Sequence, residues 1–181
     1  ASGNFATITA AVNAYNTSCS LTGPVIFELI DNAYNAEFYP IIILNHPDAS
    51  ATKTLTIRPS LTATPSFGVS VAASFFSGPA IFQLKGAKHV IIDGRRGGVG
   101  STRAMVIFHA NFSLQSPVVL FHQGAEYNEL KYCIIKSCTS NFPEVNIVDA
   151  TNITINNNLV TDAADMGIPQ KPRTGVYGSG T

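Results

Sequence analysis

The chain has 181 residues, of which 45% are hydrophobic and only 12% charged, and its formal net charge at pH 7 is zero. A chain of this length can bury one good core, and its balanced charge argues against nucleic acid as a partner. No apolar run approaches the roughly 20 residues that a transmembrane helix needs, so membrane insertion is not expected.

The first predicted element is a helix over Asn4–Asn16. Its apolar residues recur at spacings of three and four, which places them on one helix face: Phe5, Ile8, Val12 and Tyr15. Thr7 or Asn4 can cap its first turn. A stack of β-strands exposes apolar core and unpaired edges at its end. We therefore expect residues 1–20 to form a capping helix and loop, and residues 21–181 to form β-structure.

The remaining chain has the period of short strands, because apolar residues recur at every second position. The predicted strands, in chain order, are Pro24–Leu29, Pro40–Leu44, Leu55–Arg58, Phe67–Val71, Ile81–Leu84, Val90–Asp93, Met105–Phe108, Val118–Phe121, Cys133–Lys136, Val145–Val148 and Ile153–Ile155. Taken three at a time they make three coils, with a fourth coil from Val145 and the opening of a fifth over 175–181. No capping pattern follows, so the chain is expected to be the front part of a longer polypeptide.

Strand motifs recur in a fixed order, which indicates one structural circuit repeated along the chain. Alignment of four motifs predicts two inward columns, Leu55/Val90/Cys133/Ile153 and Ile57/Ile92/Ile135/Ile155. A second alignment matches Gly23–Leu29 with Gly78–Leu84 and with Ser116–His122, which makes His122 a partly buried core residue. Strands this short cannot bury a face alone, so stacking must supply the core. The predicted fold is an all-β parallel β-helix, with corner loops such as Gly94–Arg103 and Glu126–Lys131.

The three cysteines are Cys19, Cys133 and Cys138. Cys133 falls in an inward column, where a thiol behaves as a small apolar side chain. Cys133 and Cys138 are separated along an extended strand and cannot form a bridge without a sharp bend, so no essential disulfide is expected. The chain has no Cys-x-x-Cys spacing, and neither a metal site nor a cofactor is predicted.

The opening Phe5–Asn16, followed by Gly23–Leu29 and Tyr34-Asn35, resembles the start of large secreted Bacteroidota proteins. Leu84–Gly94 and Asn152–Asn158 are similar to the recurring coils of those proteins. The resemblance implies a right-handed parallel β-helix of the pectate-lyase-like superfamily, located outside the bacterial cell or on its surface. That superfamily includes polysaccharide lyases, glycoside hydrolases, adhesins and surface spacers, so the resemblance leaves the activity open. Its members often carry a C-terminal sorting domain for type IX secretion, and no such domain is visible here.

The candidate site is the glycine- and arginine-rich stretch that begins at Asp93. The predicted columns place Arg58 and Lys136 beside Asp93 on neighbouring coils, about 4.8 Å away on each side. The adjoining loop contains Arg95, Arg96 and Arg103. Such a basic patch could contact an acidic sugar. The alternative is an exposed Arg58–Asp93–Lys136 charge ladder that neutralises itself.

The sequence favours a non-catalytic β-helix segment of a larger secreted or cell-surface protein, a rigid rod that displays corner loops for adhesion or glycan contact. The first alternative is an enzyme that acts on acidic polysaccharide, with Asp93 as its weak catalytic candidate. Asp93 has no acidic neighbour for the carboxylate pair of a glycoside hydrolase, and no acidic cluster matches the calcium ligands of β-helix lyases. The second alternative is a type IX secretion cargo, with the secretion machinery as its partner.

Overall fold

The computed structural model describes residues 3–34, 37–69, 80–110, 116–138, 142–163 and 175–179. These residues form one α-helix, α1 (Ile8–Asn16), and sixteen β-strands. The strands are β1 (Val25–Leu29), β2 (Ile41–Leu44), β3 (Leu55–Pro59), β4 (Ser66–Val69), β5 (Phe82–Lys85), β6 (Val90–Asp93), β7 (Met105–His109), β8 (Val119–His122), β9 (Ala125–Glu126), β10 (Glu129–Lys131), β11 (Cys133–Ser137), β12 (Val145–Val148), β13 (Ala150–Thr151), β14 (Thr154–Asn156), β15 (Leu159–Asp162) and β16 (Val176–Ser179). The protein is mostly β, and neighbouring strands in its sheets run parallel.

The strands belong to four sheets, which are named here by their spatial order. Sheet I is β1-β3-β6-β10-β14, sheet II is β4-β7-β11-β15, sheet III is β2-β5-β8-β12-β16, and sheet IV is β9-β13. From β2 onwards the chain enters sheets III, I and II in turn and repeats that order, with sheet IV inserted between III and I in two later circuits. Each return to a sheet places the new strand beside the previous one.

The core is one cluster to which sheets I, II and III all contribute. Side chains in register stack along each sheet, and the central columns are Ile57/Ile92/Leu130/Ile155 in sheet I, Phe67/Ile107/Ile135/Val160 in sheet II and Ile43/Leu84/Phe121/Ile147 in sheet III. Most of these side chains are fully buried. Burial of each aliphatic or aromatic side chain contributes about 2 kcal/mol, so stacking supplies the core that single short strands cannot.

The predicted register in sheet I is confirmed where it joins β3 to β6. Leu55 pairs with Val90 and Ile57 with Ile92, as the alternating pattern predicts. Ile155 lies further along the column of Ile92, also as predicted. These strands alternate because inward residues join the core while their neighbours face outwards.

The predicted positions of Cys133 and Ile135 in those columns are wrong. Both residues lie in sheet II, where they pair with Met105 and Ile107. The place beside β6 belongs to β10, which lies within the predicted loop Glu126–Lys131. Inward residues alternate in the same way in every sheet, so periodicity alone does not say which sheet a strand joins. The predicted burial of the Cys133 thiol is confirmed, and Cys19, Cys133 and Cys138 are all free thiols.

The second predicted alignment is wrong. Gly23–Leu29 contains β1 of sheet I, whereas Phe82–Leu84 of the second motif belongs to β5 of sheet III. Gly78 and the residue after it lie outside the described residues. His122 pairs with Lys85 and not with Leu84. The first and third predicted coils fail for the same reason, because β1 pairs with β3 and β7 pairs with β11.

Helix α1 begins at Ile8 and not at the predicted Asn4. The predicted Thr7 cap is confirmed, since its side-chain oxygen accepts the Ala10 N–H at 3.0 Å. The buried carboxylate of Glu37 accepts the N–H groups of Ile8 and Thr9. A carboxylate at a helix N-terminus satisfies unpaired donors and interacts favourably with the helix dipole.

Two asparagines bridge neighbouring chain segments at the corners between sheets. Asn128 donates to the Ala87 carbonyl at 2.8 Å and accepts the Val90 N–H at 2.9 Å. Asn158 makes the equivalent pair of bonds one corner further on, with Leu130 and Cys133, each at 2.8 Å. Backbone groups at a corner have no strand partner, and each side-chain amide supplies the hydrogen bonds that they would otherwise lack.

The residue before each bridging asparagine has a left-handed backbone, with φ of 55° at Tyr127 and 54° at Asn157. His89 and Asn152 have similar values of 56° and 53° and precede other strands of sheet I. The His89 ring stacks on the Tyr127 ring, with centroids 5.2 Å apart. The corners therefore repeat along the stack as the strands do.

Candidate functional site

The predicted site forms a closed corner loop, Gly94–Ala104, between sheets I and II. The Ala104 N–H donates to the Gly94 carbonyl at 2.8 Å, which closes the base of the loop. The Gly94 N–H donates to the carbonyl of Lys131 on the next strand, also at 2.8 Å. A Cβ at Gly94 would collide with the Tyr132 carbonyl oxygen, so only glycine fits this approach.

Asp93 is buried and bound by Arg95. The Arg95 guanidinium donates to both carboxylate oxygens, with Nη2 to Oδ2 at 2.7 Å and Nε to Oδ1 at 2.9 Å, and the Arg95 N–H adds a third bond at 3.0 Å. The hydrogen bond to Asp93 raises the pKa of Arg95. The guanidinium also lies 4.6 Å from the centre of the Tyr132 ring, within cation–π distance. Both carboxylate oxygens are engaged, so Asp93 holds the loop in place.

The predicted charge ladder requires Arg58 to pair with Asp93, and this pair does not form. Its guanidinium binds Glu28 on the preceding strand of sheet I, at 2.8 Å from Nη2 to Oε1. The Arg58 side chain also lies against Gly98 in the corner loop. The register of β3 with β1 places Glu28 directly opposite Arg58, so its charge is neutralised within sheet I.

The predicted position of Lys136 is wrong. Lys136 lies on β11 in sheet II, opposite Phe108 and Thr161. The residue opposite Asp93 is Lys131, whose ammonium binds Glu129 at 2.6 Å. The predicted columns align β11, which carries Lys136, with β6. In the structure the strand beside β6 is β10.

Arg96 and Arg103 bind backbone carbonyls outside the loop. The Nε of Arg96 donates to the Ala63 carbonyl at 3.1 Å, and the Nε of Arg103 donates to the Asn157 carbonyl at 2.6 Å. Neither guanidinium has a carboxylate partner in the described ranges. Each guanidinium carries five N–H donors, so within the described part of the chain both retain free donors and a charge without a counter-charge.

An apolar tip lies beside Arg96, on the loop that also carries Arg103. Leu61 is 72% exposed and Val99 is 67% exposed. A Cβ at Gly97 would meet the Leu61 side chain, which shows that the two loops touch. We call the surface formed by Leu61, Arg96, Val99 and Arg103 the corner patch. It can contact anions through its guanidinium groups and apolar surface through its tip.

Sequence reasoning missed the residues that hold the corner loop. Tyr132 under Arg95 and Asn157 beside Arg103 belong to a corner. The pattern predicts a strand from Tyr132 onwards and a turn over Asn156–Asn158, and neither prediction links these residues to the loop. A usable signal was present, because Tyr127-Asn128 and Asn157-Asn158 are the same motif, with a left-handed residue followed by the bridging asparagine.

Ser18 and His46 approach the geometry of a nucleophile and base, with Oγ and Nε2 3.0 Å apart. The Nδ1 of His46 accepts the Asp48 N–H at 3.1 Å, so a neutral ring carries its proton on Nε2. The same Nε2 lies 3.1 Å from the Ser18 carbonyl, which it can donate to. The ring therefore donates towards Ser18 and is not oriented to remove its proton. This cluster joins the end of α1 to the loop after β2.

Two buried titratable side chains also escaped the sequence analysis. Glu144, just before β12, is 0% exposed, and in the described ranges neither carboxylate oxygen has a hydrogen-bond partner. Burial raises the pKa of Glu144 to about 7. His109 at the end of β7 lies 3.0 Å from the Ser116 hydroxyl, and burial lowers the pKa of His109 to about 4.

No family model, curated protein or solved structure matches this chain. In the described ranges no helix is long and apolar enough to cross a membrane. No group of three or more His, Cys, Asp or Glu side chains in those ranges could hold a metal ion.

Proposed function

We propose that the chain is a right-handed parallel β-helix that serves as a rigid, non-catalytic scaffold on the outside of a bacterial cell. The observation that carries the proposal is the repeated order of sheets III, I and II, with every strand parallel to the one laid down a circuit earlier. Such a chain stacks like a solenoid, and each coil touches only its neighbours. The cell-surface setting rests on the resemblance to secreted Bacteroidota proteins, and transport as a type IX cargo stays a prediction.

The proposed contact surface is the corner patch, and its proposed ligand is an acidic glycan. Arg96 and Arg103 retain positive charge and unused donors that suit carboxylate or sulfate groups on a sugar. Arg58 and Arg95, which the sequence also suggests, are neutralised by Glu28 and Asp93. Of the five predicted basic residues, the proposal keeps Arg96 and Arg103 as ligand contacts and treats Arg58 and Arg95 as supports of the loop. The fifth, Lys136, lies in sheet II and is left out.

The enzyme alternative depends on Asp93, and the geometry gives that side chain another role. Its carboxylate is 5% exposed and both oxygens accept hydrogen bonds from Arg95. A general base must reach the proton that it removes, and a carboxylate held in this way does not face a substrate. We therefore propose binding without turnover.

The test compares binding to an acidic polysaccharide, polygalacturonate, with binding to neutral dextran. The double variant Arg96→Gln, Arg103→Gln should weaken polygalacturonate binding about tenfold, because two charge-assisted contacts are lost. Arg96→Lys, Arg103→Lys keeps the charge and should retain most of the affinity. Equal binding by the wild type and the Gln variant, with both folded, would remove the corner patch as the site.

The same samples are assayed for the release of new sugar ends. We expect none from the wild-type chain. Release that disappears in Asp93→Asn would overturn the scaffold proposal and make Asp93 catalytic.

A further inference from the structure

Among the residues that the structure describes, strand β1 has no strand neighbour on one of its sides. It is the outermost strand of sheet I, and β3 is its partner on the other side. The Val25 N–H donates to the Thr54 carbonyl at 2.8 Å, and the Leu29 carbonyl accepts the Ser60 N–H at 2.9 Å. In parallel pairing, alternate residues direct their N–H and C=O groups to the same side. The backbone groups of Ile26 and Glu28 therefore point away from β3, and no bond joins them to any other described residue.

The other outer strands at this end of the stack are covered. Asn16 on α1 donates to the Ile42 carbonyl at 2.8 Å and accepts the Leu44 N–H at 3.0 Å, so its amide satisfies the edge of β2. The segment before β2 covers β4, where Ser66 donates to the Asn32 carbonyl at 3.0 Å. An exposed row of backbone groups is a template for pairing with another chain. The fold satisfies two such edges and leaves that of β1 open.

The open edge faces a groove with a volume of about 620 Å³. Residues 3–11 form one wall, and β1 with the residues after it forms the other. Three exposed apolar side chains line it, namely Phe5 at 43%, Ile26 at 47% and Ile30 at 43%. The rings of Phe5 and Phe27, which both line the groove, meet edge to face with their centroids 6.2 Å apart. The site thus combines unpaired backbone groups with apolar walls.

The groove has a net negative charge. Glu28 is neutralised by Arg58, but Asp31 has no ion-pair partner in the described ranges. We propose that this groove binds an extended segment of a partner protein, which adds to β1 as a further strand. Its apolar residues at alternate positions would meet the groove walls, and a Lys or Arg would lie near Asp31. A second copy that paired through the same edge would bring another Asp31 to the groove, so the charge favours a basic peptide over a second copy of this chain.

The probe is a fluorescein-labelled peptide that copies residues 53–60, Lys-Thr-Leu-Thr-Ile-Arg-Pro-Ser, because this sequence already pairs with β1 from the other side. Binding is measured by fluorescence anisotropy with the whole chain. We expect saturable binding, and a peptide with N-methyl groups on alternate amides should lose it. Equal binding of the methylated peptide, or no binding of the unmodified one, would overturn the proposal.

Variants of the chain locate the binding edge. Ile26→Pro removes an N–H that faces the groove and leaves the bonds to β3 in place, so it should raise the Kd about tenfold. Ile26→Val keeps the N–H and should bind nearly as well as the wild type. Asp31→Asn should weaken binding several-fold at low salt only. A dimer in sedimentation experiments that Ile26→Pro dissociates would show that a second copy occupies the edge, and the peptide proposal would fail.

Discussion

Glu144 and His109 give the stability of the protein opposing responses to pH. The pKa of Glu144 is raised from 4.5 to about 7, so its proton is held more tightly in the folded chain. Its contribution is complete below pH 4.5 and is lost as the pH rises to about 7. The pKa of His109 is lowered from 6.5 to about 4, so its contribution is complete above pH 6.5 and is lost as the pH falls to about 4.

Replacing Glu144 should leave His109 to determine how the free energy of unfolding depends on pH. In the wild type the two groups offset each other between about pH 4.5 and 6.5. In Glu144→Gln the free energy of unfolding should rise by about 3 kcal/mol across this range, since a pKa change of one unit corresponds to about 1.4 kcal/mol. Urea denaturation at a series of pH values measures this change in the free energy of unfolding. His109→Gln should give the opposite slope, and parallel pH profiles for wild type and Glu144→Gln would contradict the assignment.

Asn128 is predicted to be a main support of its corner. Asn128→Ala leaves the Ala87 carbonyl and the Val90 N–H without their side-chain partner in a buried place. We expect a loss of about 2–3 kcal/mol in the free energy of unfolding, measured by chemical denaturation. Asn13→Ala, on the exposed side of α1, is the control and should change stability by less than about 0.5 kcal/mol. Similar losses in both variants would mean that the bridging amide is unimportant.

At the scale of single strands, neighbouring isoleucines of β6 face opposite sides of the sheet. Ile92 is fully buried in the central column of sheet I, whereas Ile91, the preceding residue, is half-buried on the outer face. A one-residue shift in register would exchange the two.

Ile92→Asp should unfold the protein at neutral pH, because it places an unpaired charge in the core. Ile91→Asp carries the same chemical change to the outer face and should cost about 1 kcal/mol. Circular dichroism and thermal melting of the two variants give the comparison. A folded Ile92→Asp protein would show that the inward and outward faces of β6 have been exchanged.

The short strands also explain how far the sequence could be interpreted. Alternation found the inward residues of most strands, including Ile57, Ile92 and Ile135, because burial on one face requires it. It missed β10, where Leu130 is the single buried residue between two charged ones. A single inward side chain gives no alternating pattern, so the sequence does not show that β10 lies beside β6 and β14.

At the scale of the whole molecule, parallel stacking was predictable and the composition of each sheet was not. Repetition of short alternating strands requires stacking for burial, and this holds for any of the three large sheets. The order in which the chain enters them depends on the corners, and strand alternation says nothing about the corner motif that Tyr127-Asn128 and Asn157-Asn158 share. The missing information about the corners also limited the prediction of the site. The arginines of the loop were found, but their partners Ala63 and Asn157 lie on other corners, far away in sequence.

The chain between paired strands of sheet I differs in length while the pairing is preserved. Ile91 of β6 pairs with Glu129, 38 residues later, and Glu129 pairs with Thr154 after only 25 residues. Register is set within the strands, so residues added at a corner need not shift it. During evolution, insertions and deletions should therefore accumulate at the corners, where new surface can appear without change to the core. Loops such as Gly94–Ala104 can therefore change in length and in binding partner while the strand register stays the same.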